Sequence, residues 1–418
     1  MKPVHHGENY KMASKPWTAP RPGRPILTGI RVVELATVVA APSCAAVLAD
    51  LGASVIKIER LGVGDTWRLD RAHLTPDSAW GGGPHFANNN RGKQSIQLDI
   101  KDPVHLEALK TLLSTADVFV TNVRSKALDR SGLGYPALSK EFPSLVYAIL
   151  SAWGLDGPRM DDPGYDVGAF WAAAGLQDFS KPTDGGHVGQ FPPALGDHLT
   201  AMQLVAGIAL ALFHRQITGE GQLVDASLLR SGIWGMAYPM LNVACAPGQK
   251  FVREPRTQHY RPSFNSYKCS DGGWLQLLGL QAERFMPLLS RALMLEPSAT
   301  QGLNNTQIIA LFDGIFASRP LRYWEERLRT EGVWFQRVTP LDEVLCEPQA
   351  QSALNRVSWA SFPVVACPVR MSCSDQHGPA GPPPQAGEHT AHALLAAGVS
   401  EGAVTKIMRD REQARSKL

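Results

Sequence analysis

Between Asp156 and Asp197 the sequence carries seven aspartates, Asp156, Asp161, Asp162, Asp166, Asp178, Asp184 and Asp197, in a stretch broken by Gly and Pro. An irregular stretch of this kind is where a site could sit, because loops at strand ends carry chemistry. Most of the seven are expected to be turn and cap residues, because Asp readily bonds nearby backbone. Asp197 precedes a long helical run and is the best N-cap candidate. Asp166, two residues after a Pro-Gly turn, is suited to cap a shorter helix. Asp184, in Pro-Thr-Asp-Gly-Gly, reads as a plain turn, and composition alone gives it no catalytic preference. A second set of residues is basic and lies beside turns: Arg60, Arg68, Arg91, Lys93, Arg124 and Arg130. Each alone reads as ordinary surface charge, whereas together at strand ends they could grip the phosphates of a nucleotide-bearing ligand. Other nucleophiles are poorly supported. Ser227 and Ser231 lack a G-x-S-x-G elbow, no H-E-x-x-H occurs, and the six cysteines form no C-x-x-C pair. No resident metal is expected, and the cysteines are read as reduced, as in a cytosolic enzyme.

The elements that must position these residues are clearest between Gly29 and Arg60. Arg31–Leu35 is a β-type run, Pro42–Leu51 an Ala-rich amphipathic helix stopped by Gly52, and Ser54–Ile58 a second apolar strand. Strand, helix and strand in this order form a right-handed parallel unit. The theme continues with strands at Ser95–Leu98, Val118–Thr121 and Leu145–Leu150 and helices at Pro103–Ser114 and Tyr135–Glu141. Such alternation specifies an α/β fold, an open parallel sheet with helices on both faces. The turn after the first strand, Thr37-Val-Val-Ala-Ala-Pro42, lacks G-x-G-x-x-G, so a dinucleotide site is weakly supported, and Glu59 reads as a solvated strand end. A helix is expected at Asp166–Ala174, then a long one from Asp197 to about Thr218, whose apolar part Ala201–Phe213 reads as buried rather than membrane-spanning.

Length and composition set the frame. A chain of 418 residues exceeds one ordinary core, and 44% hydrophobic with 19% charged residues describes a globular protein. A net charge of +3 offers no global case for nucleic-acid binding, and no bilayer-spanning segment is read. The expected organisation is a loose tail over residues 1–25, a large domain over 26–235, a smaller α+β domain over 245–340, and a return to the large domain over 350–418. The final part contains a proline run, Pro382–Pro384, and closes on a helix after Gly387.

Taken together, several segments resemble the class III CoA-transferases, also called the carnitine-CoA-transferase-like family. They are Gly29-Ile-Arg-Val-Val-Glu-Leu35, Leu51-Gly-Ala-Ser-Val-Ile-Lys-Ile-Glu-Arg60, Gly64-Asp65, Asn90-Arg-Gly-Lys-Gln-Ser-Ile-Gln-Leu-Asp99 and Asp117-Val-Phe-Val-Thr-Asn122. Later in the chain come Leu128–Gly132, Gly154–Pro158, Pro163-Gly-Tyr-Asp166, Leu195-Gly-Asp197, Thr218–Gln222 and Gly387-Glu-His-Thr390. No single segment is specific; their order and spacing are.

The resemblance implies a Rossmann-like large domain, a small domain, and two chains threaded as an interlocked homodimer. It implies that coenzyme A, the substrate and the only cofactor-like group, is held by Val38, Val39, Arg60, Lys93, Asn122 and Arg130. Val39 stands where some members carry Gln, and Val123 replaces a common aromatic. The nucleophile of transferase members matches Asp184, followed here by Gly185-Gly-His187 instead of Gly-Pro-Pro, with Asp166 in reserve. The implied activity moves coenzyme A from an acyl-CoA to a carboxylic acid, in the cytoplasm, without nucleic acid or membrane. The glycine-rich lid of the family corresponds to Arg256–Phe264, which has no glycine run. The same fold houses α-methylacyl-CoA racemases, but Tyr165 stands where these carry His, and Tyr is a poor base near neutrality. A non-catalytic CoA-binding descendant is the third reading.

Overall fold

The computed structural model describes residues 25–182, 186–187, 189, 191–249, 251–296, 298–371 and 381–417. The expected tail, apart from Pro25, and the candidate nucleophile Asp184 lie outside these residues.

The first half alternates strands and helices as the sequence predicts: β1 (Arg31–Leu35), α1 (Ala40–Asp50), β2 (Ser54–Arg60), α2 (Pro84–Asn90), β3 (Gln94–Leu98), α3 (Pro103–Leu113), β4 (Val118–Thr121), α4 (Ser125–Arg130), α5 (Tyr135–Glu141) and β5 (Val146–Ser151). A π-helical turn at Val167–Ala173 and α6 (Leu176–Phe179) precede α7 (Leu195–Thr218), β6 (Leu223–Ser227), α8 (Leu228–Gly235) and α9 (Ala237–Cys245). Six strands form one parallel sheet in the order β3-β2-β1-β4-β5-β6. This is the doubly wound order, which reverses direction between β1 and β4. Strands covered on both faces need nearly continuous apolar sequence, and Val32, Val33, Val55, Ile58, Phe119, Val120 and Val146 are all buried.

The chain divides into two compact units. One holds the sheet and comprises the described residues up to Ser151, Asp197–Ala226, and the described residues from Asn355 onward. The other comprises Ala152–Gly196 and Ser227–Leu354. Its core is a three-stranded antiparallel sheet, β7 (Ser266–Lys268), β8 (Trp274–Leu277) and β9 (Phe335–Arg337), packed with α10 (Ala282–Ala292), α11 (Asn305–Phe316) and α12 (Leu321–Thr330) around Tyr267, Leu275, Phe312, Phe316 and Trp324. A short helix α13 (Leu341–Val344) follows, and α14 (Thr390–Ala396) and α15 (Glu401–Arg415) close the chain. Returning chain seals the β3 edge: the Gly387 amide donates to Ser95 Oγ at 2.8 Å, the Gln97 amide to Thr390 Oγ1 at 3.1 Å, and the His389 amide to the Ser95 carbonyl at 2.9 Å.

The structure corrects three readings. Glu59 is not a solvated strand end but a buried partner of Arg68, with Oε1 to Nη2 at 2.6 Å. Asp197 does not precede the long helix; α7 begins at Leu195 and places Asp197 within its first turn, where a carboxylate favours the helix dipole. Nor is α7 a fully buried helix. Ala201, Leu204, Ile208 and Ala211 pack inward at helical spacing, while Leu210, Phe213 and Ile217 form an exposed apolar stripe, each at least 67% accessible. Among the described residues α7 is the one helix long and apolar enough to cross a membrane.

Candidate functional site

In an open α/β sheet, ligands bind beyond the carboxyl ends of the strands where the strand order reverses. Here that point lies between β1 and β4. The turn Ala36–Val39 leaves β1, and Asn122 follows β4 directly. Asn122 Oδ1 accepts from the Thr37 amide at 3.1 Å, and its Nδ2 donates to the Thr37 carbonyl at 2.8 Å. This amide-to-backbone clamp ties the two loops together across the crevice. Val39 is buried and starts α1, its carbonyl accepting from the Ser43 amide at 2.8 Å. Val38 sits at φ +71°, a left-handed conformation that a β-branched residue adopts only under external constraint.

Of the coenzyme-binding candidates, the structure thus brings together Val38, Val39 and Asn122. Arg60 ends β2 and Arg130 ends α4, both with exposed side chains on elements that flank the reversal point. Lys93 is different. It is buried, with Nζ 2.6 Å from Glu34 Oε2 and donating to the Pro42 carbonyl and Asn90 Oδ1, both at 2.9 Å. Burial, only partly offset by Glu34, lowers its pKa to about 8. Arg68 and Arg91 are likewise committed inside the protein, Arg68 to Glu59 and Arg91 to Asp50 at 2.6 Å. These three are not surface charge, and a buried, paired cation is no free phosphate grip.

Lys93 belongs to a network that sequence reasoning missed. Lys57 Nζ lies 2.8 Å from Glu34 Oε1 and 2.9 Å from Asp65 Oδ2, with all three side chains inaccessible to solvent. It also donates to the Ala36 carbonyl at 2.9 Å. Burial opposes the charge on Lys57, but Glu34, Asp65 and Glu59 outweigh it and raise its pKa above the ordinary lysine value. Asp65 Oδ1 in turn accepts from the Val38 amide at 3.3 Å and from the Trp67 amide at 3.0 Å. Glu59 accepts from the Asp65 amide at 2.8 Å, from Arg68 Nε at 2.8 Å and from Ser95 Oγ at 2.5 Å. Despite burial, the Arg68 contacts, the Lys57 charge and Ser95 hold its pKa at about 2. The signal was present: Glu34 and Lys57 each interrupt an apolar strand, and they are register partners on adjacent strands. A lone charge in a strand covered on both faces needs an opposite neighbour.

In the second unit, Asp166 precedes the π-helical turn with 5% accessibility and forms no side-chain cap bond. Burial raises its pKa, against lowering by the Gly196 amide, the Trp171 indole and the Ala194 amide. None of these reaches full hydrogen-bond geometry, and both carboxylate oxygens lack a partner among the described residues. Tyr165 beside it is 72% exposed. Asp102, His105 and Asp410 also cluster closely enough to hold a cation, but Lys406 Nζ already lies 2.6 Å from Asp102 and 2.7 Å from Asp410.

Residues 27–390 match the CoA-transferase family III profile. The chain is 29% identical over 392 residues to (R)-2-hydroxy-4-methylpentanoate CoA-transferase of Clostridioides difficile, covering 90% of this chain and 96% of that protein. It is 28% identical over 407 residues to cinnamoyl-CoA:phenyllactate CoA-transferase of Clostridium sporogenes, covering 93% and 97%. A CAIB/BAIF family protein from Brucella suis superposes with a TM-score of 0.77 at 26% identity, over 90% of this chain and 100% of that one. The match begins before β1 and runs through the segment that closes the β3 edge, so it takes in the reversal point and both units: this chain belongs to CoA-transferase family III.

Proposed function

We propose that this enzyme transfers coenzyme A from an acyl-CoA to a carboxylic acid through the Asp184 side chain. The observation that carries the reading is the family match across residues 27–390. The clamped reversal point supports it, because it offers the usual place for a nucleotide-bearing ligand. Val38, Val39 and Asn122 would shape the coenzyme's seat, with Arg60 and Arg130 reaching its phosphates. Lys93 would act from below, by supporting the start of α1.

The chemistry follows in balanced steps. The Asp184 carboxylate attacks the thioester carbonyl and expels the coenzyme A thiolate, forming a mixed anhydride. The thiolate attacks the aspartyl carbonyl, releases the donor carboxylate and leaves an aspartyl thioester. The acceptor carboxylate displaces the thiolate to form a second anhydride, and the thiolate then takes the acceptor acyl group and frees Asp184. Exclusion of water from both anhydrides preserves the thioester. We also place the enzyme in the cytoplasm as a homodimer; the exposed apolar stripe of α7 supports burial against a second copy.

Incubation with an acyl-CoA and no acceptor is expected to leave a coenzyme A adduct on the peptide carrying Asp184, trapped by hydroxylamine and absent from Asp184→Asn. An adduct that survives there but disappears from Asp166→Asn moves the nucleophile to Asp166. Rapid loss of the α-proton from a 2-methylacyl-CoA in deuterated water, with no transfer to any carboxylate, would favour the racemase reading instead.

A further inference from the structure

The Ala36–Val39 turn is pinned residue by residue. Lys57 holds the Ala36 carbonyl, Asn122 holds both backbone groups of Thr37, Asp65 holds the Val38 amide, and the Val39 carbonyl is taken by α1. Within it, Val38 is strained at φ +71°. A left-handed β-branched residue persists only where its surroundings over-determine it, and such positions concentrate at ligand sites. Asp65 hydrogen-bonds the strained residue from a buried position. Its second oxygen is fixed by Lys57, and its own amide by Glu59. Burying this many charges beneath one turn costs desolvation that only close mutual pairing offsets, and here the pairs lie at 2.8 and 2.9 Å around Lys57.

We infer that Asp65, oriented by Lys57, is a positioning residue for coenzyme A that holds Val38 in the left-handed conformation and so keeps the Thr37–Val39 turn in its binding shape. The inference rests on the coenzyme being seated at this turn. It separates two roles for the charges of this region: the exposed Arg60 and Arg130 meet the ligand, whereas the buried set shapes the backbone. Glycine adopts φ +71° without strain, so a glycine at position 38 makes the restraint largely unnecessary.

Coenzyme A affinity is therefore to be measured by titration calorimetry on the full chain, for wild type, Asp65→Ala, Val38→Gly and their double variant, and for Asp65→Asn with valine and with glycine at position 38. Asp65→Ala is expected to weaken binding about tenfold in the valine background. In the glycine background the same change is expected to cost about twofold. Asp65→Asn keeps an acceptor for the Val38 amide and, in the valine background, is expected to weaken binding less than Asp65→Ala. This variant decides the matter if the alanine protein does not fold. Equal losses in both backgrounds, no loss in either, or Asp65→Asn as damaging with glycine at position 38 as with valine would each overturn the inference. Arg60→Ala serves as the control. Weakening by Arg60→Ala without any by the Asp65 variants sinks the positioning role alone, whereas a wild-type chain that binds no coenzyme A sinks the proposed function with it.

Discussion

Replacing Glu59 with Gln should remove the counter-charge of the buried Arg68 and abolish part of the sheet unit's acid sensitivity. Glu59 is 2% exposed and takes two contacts from Arg68, at 2.8 and 2.6 Å, with further bonds from Ser95 and the Asp65 amide. Its pKa falls from 4.5 to about 2 because these donors and the Lys57 charge outweigh burial. At about 1.4 kcal/mol per tenfold change in proton affinity, that difference corresponds to about 3 kcal/mol. The sign is fixed by the direction. A carboxyl with a depressed pKa in the folded state stabilises fully above its unfolded value, and the contribution drains away as pH falls from about 4.5 toward 2. Glutamine leaves the Arg68 guanidinium buried without a counter-charge, which costs about 3–5 kcal/mol near neutrality. Urea unfolding should be followed by pulse hydrogen exchange on peptides spanning β2 and β3, after equilibration at pH 7 and at pH 3. The wild type should lose stability between the two, and Glu59→Gln should start lower and lose less. Adding Arg68→Met should recover part of the loss. A Glu59→Gln protein within about 1 kcal/mol of wild type at pH 7 would refute the reasoning.

Three further substitutions test the fold and the proposed seat of the coenzyme. A Cβ on Gly221 would lie 2.1 Å from the Leu145 carbonyl oxygen, backbone that cannot yield, so Gly221→Ala should unfold the β5–β6 side or cost several kcal/mol, about 3 or more. Gly219 has open space at φ +79°, so Gly219→Ala should cost only about 1 kcal/mol; thermal unfolding of the pair reads the contrast. Arg130→Ala should weaken coenzyme A by about tenfold while leaving its pantetheine fragment nearly unaffected, as expected for lost charge-assisted phosphate bonds. Equal weakening of both ligands would place Arg130 away from the phosphates.

The sheet was legible because its signals are local. The limits of β1, β4 and α5 coincide with the apolar runs and Pro-marked helix start read from sequence, and α1 begins only two residues earlier than expected. The short helices α2 and α4 escaped because seven and six residues carry too little periodicity to separate them from loop. Charge placement was the larger failure. Arg68, Arg91 and Lys93 were grouped with Arg60 and Arg130 because sequence position beside a turn does not distinguish a side chain aimed into the core from one aimed outward. Their acidic partners, Glu59, Asp50 and Glu34, lie 9, 41 and 59 residues away and are joined to them only by the fold. The seat of the coenzyme was named from family resemblance. The backbone strain at Val38 has no sequence signal, since valine is among the residues least expected in a left-handed turn.

The closure of the β3 edge has a consequence for how the enzyme is made. Ser95 and its bonding partner Gly387 are 292 positions apart. At about 5–20 residues per second, a ribosome needs roughly 15–60 s to deliver the second after the first. Throughout that interval the nascent sheet presents an unpaired β3 flank, together with buried-charge positions such as Glu59 whose surroundings are incomplete without the Pro384 carbonyl on Arg68. Chaperone dependence and losses to aggregation during synthesis should therefore respond to elongation speed between the codons for Ser95 and Gly387, even when the finished enzyme is stable.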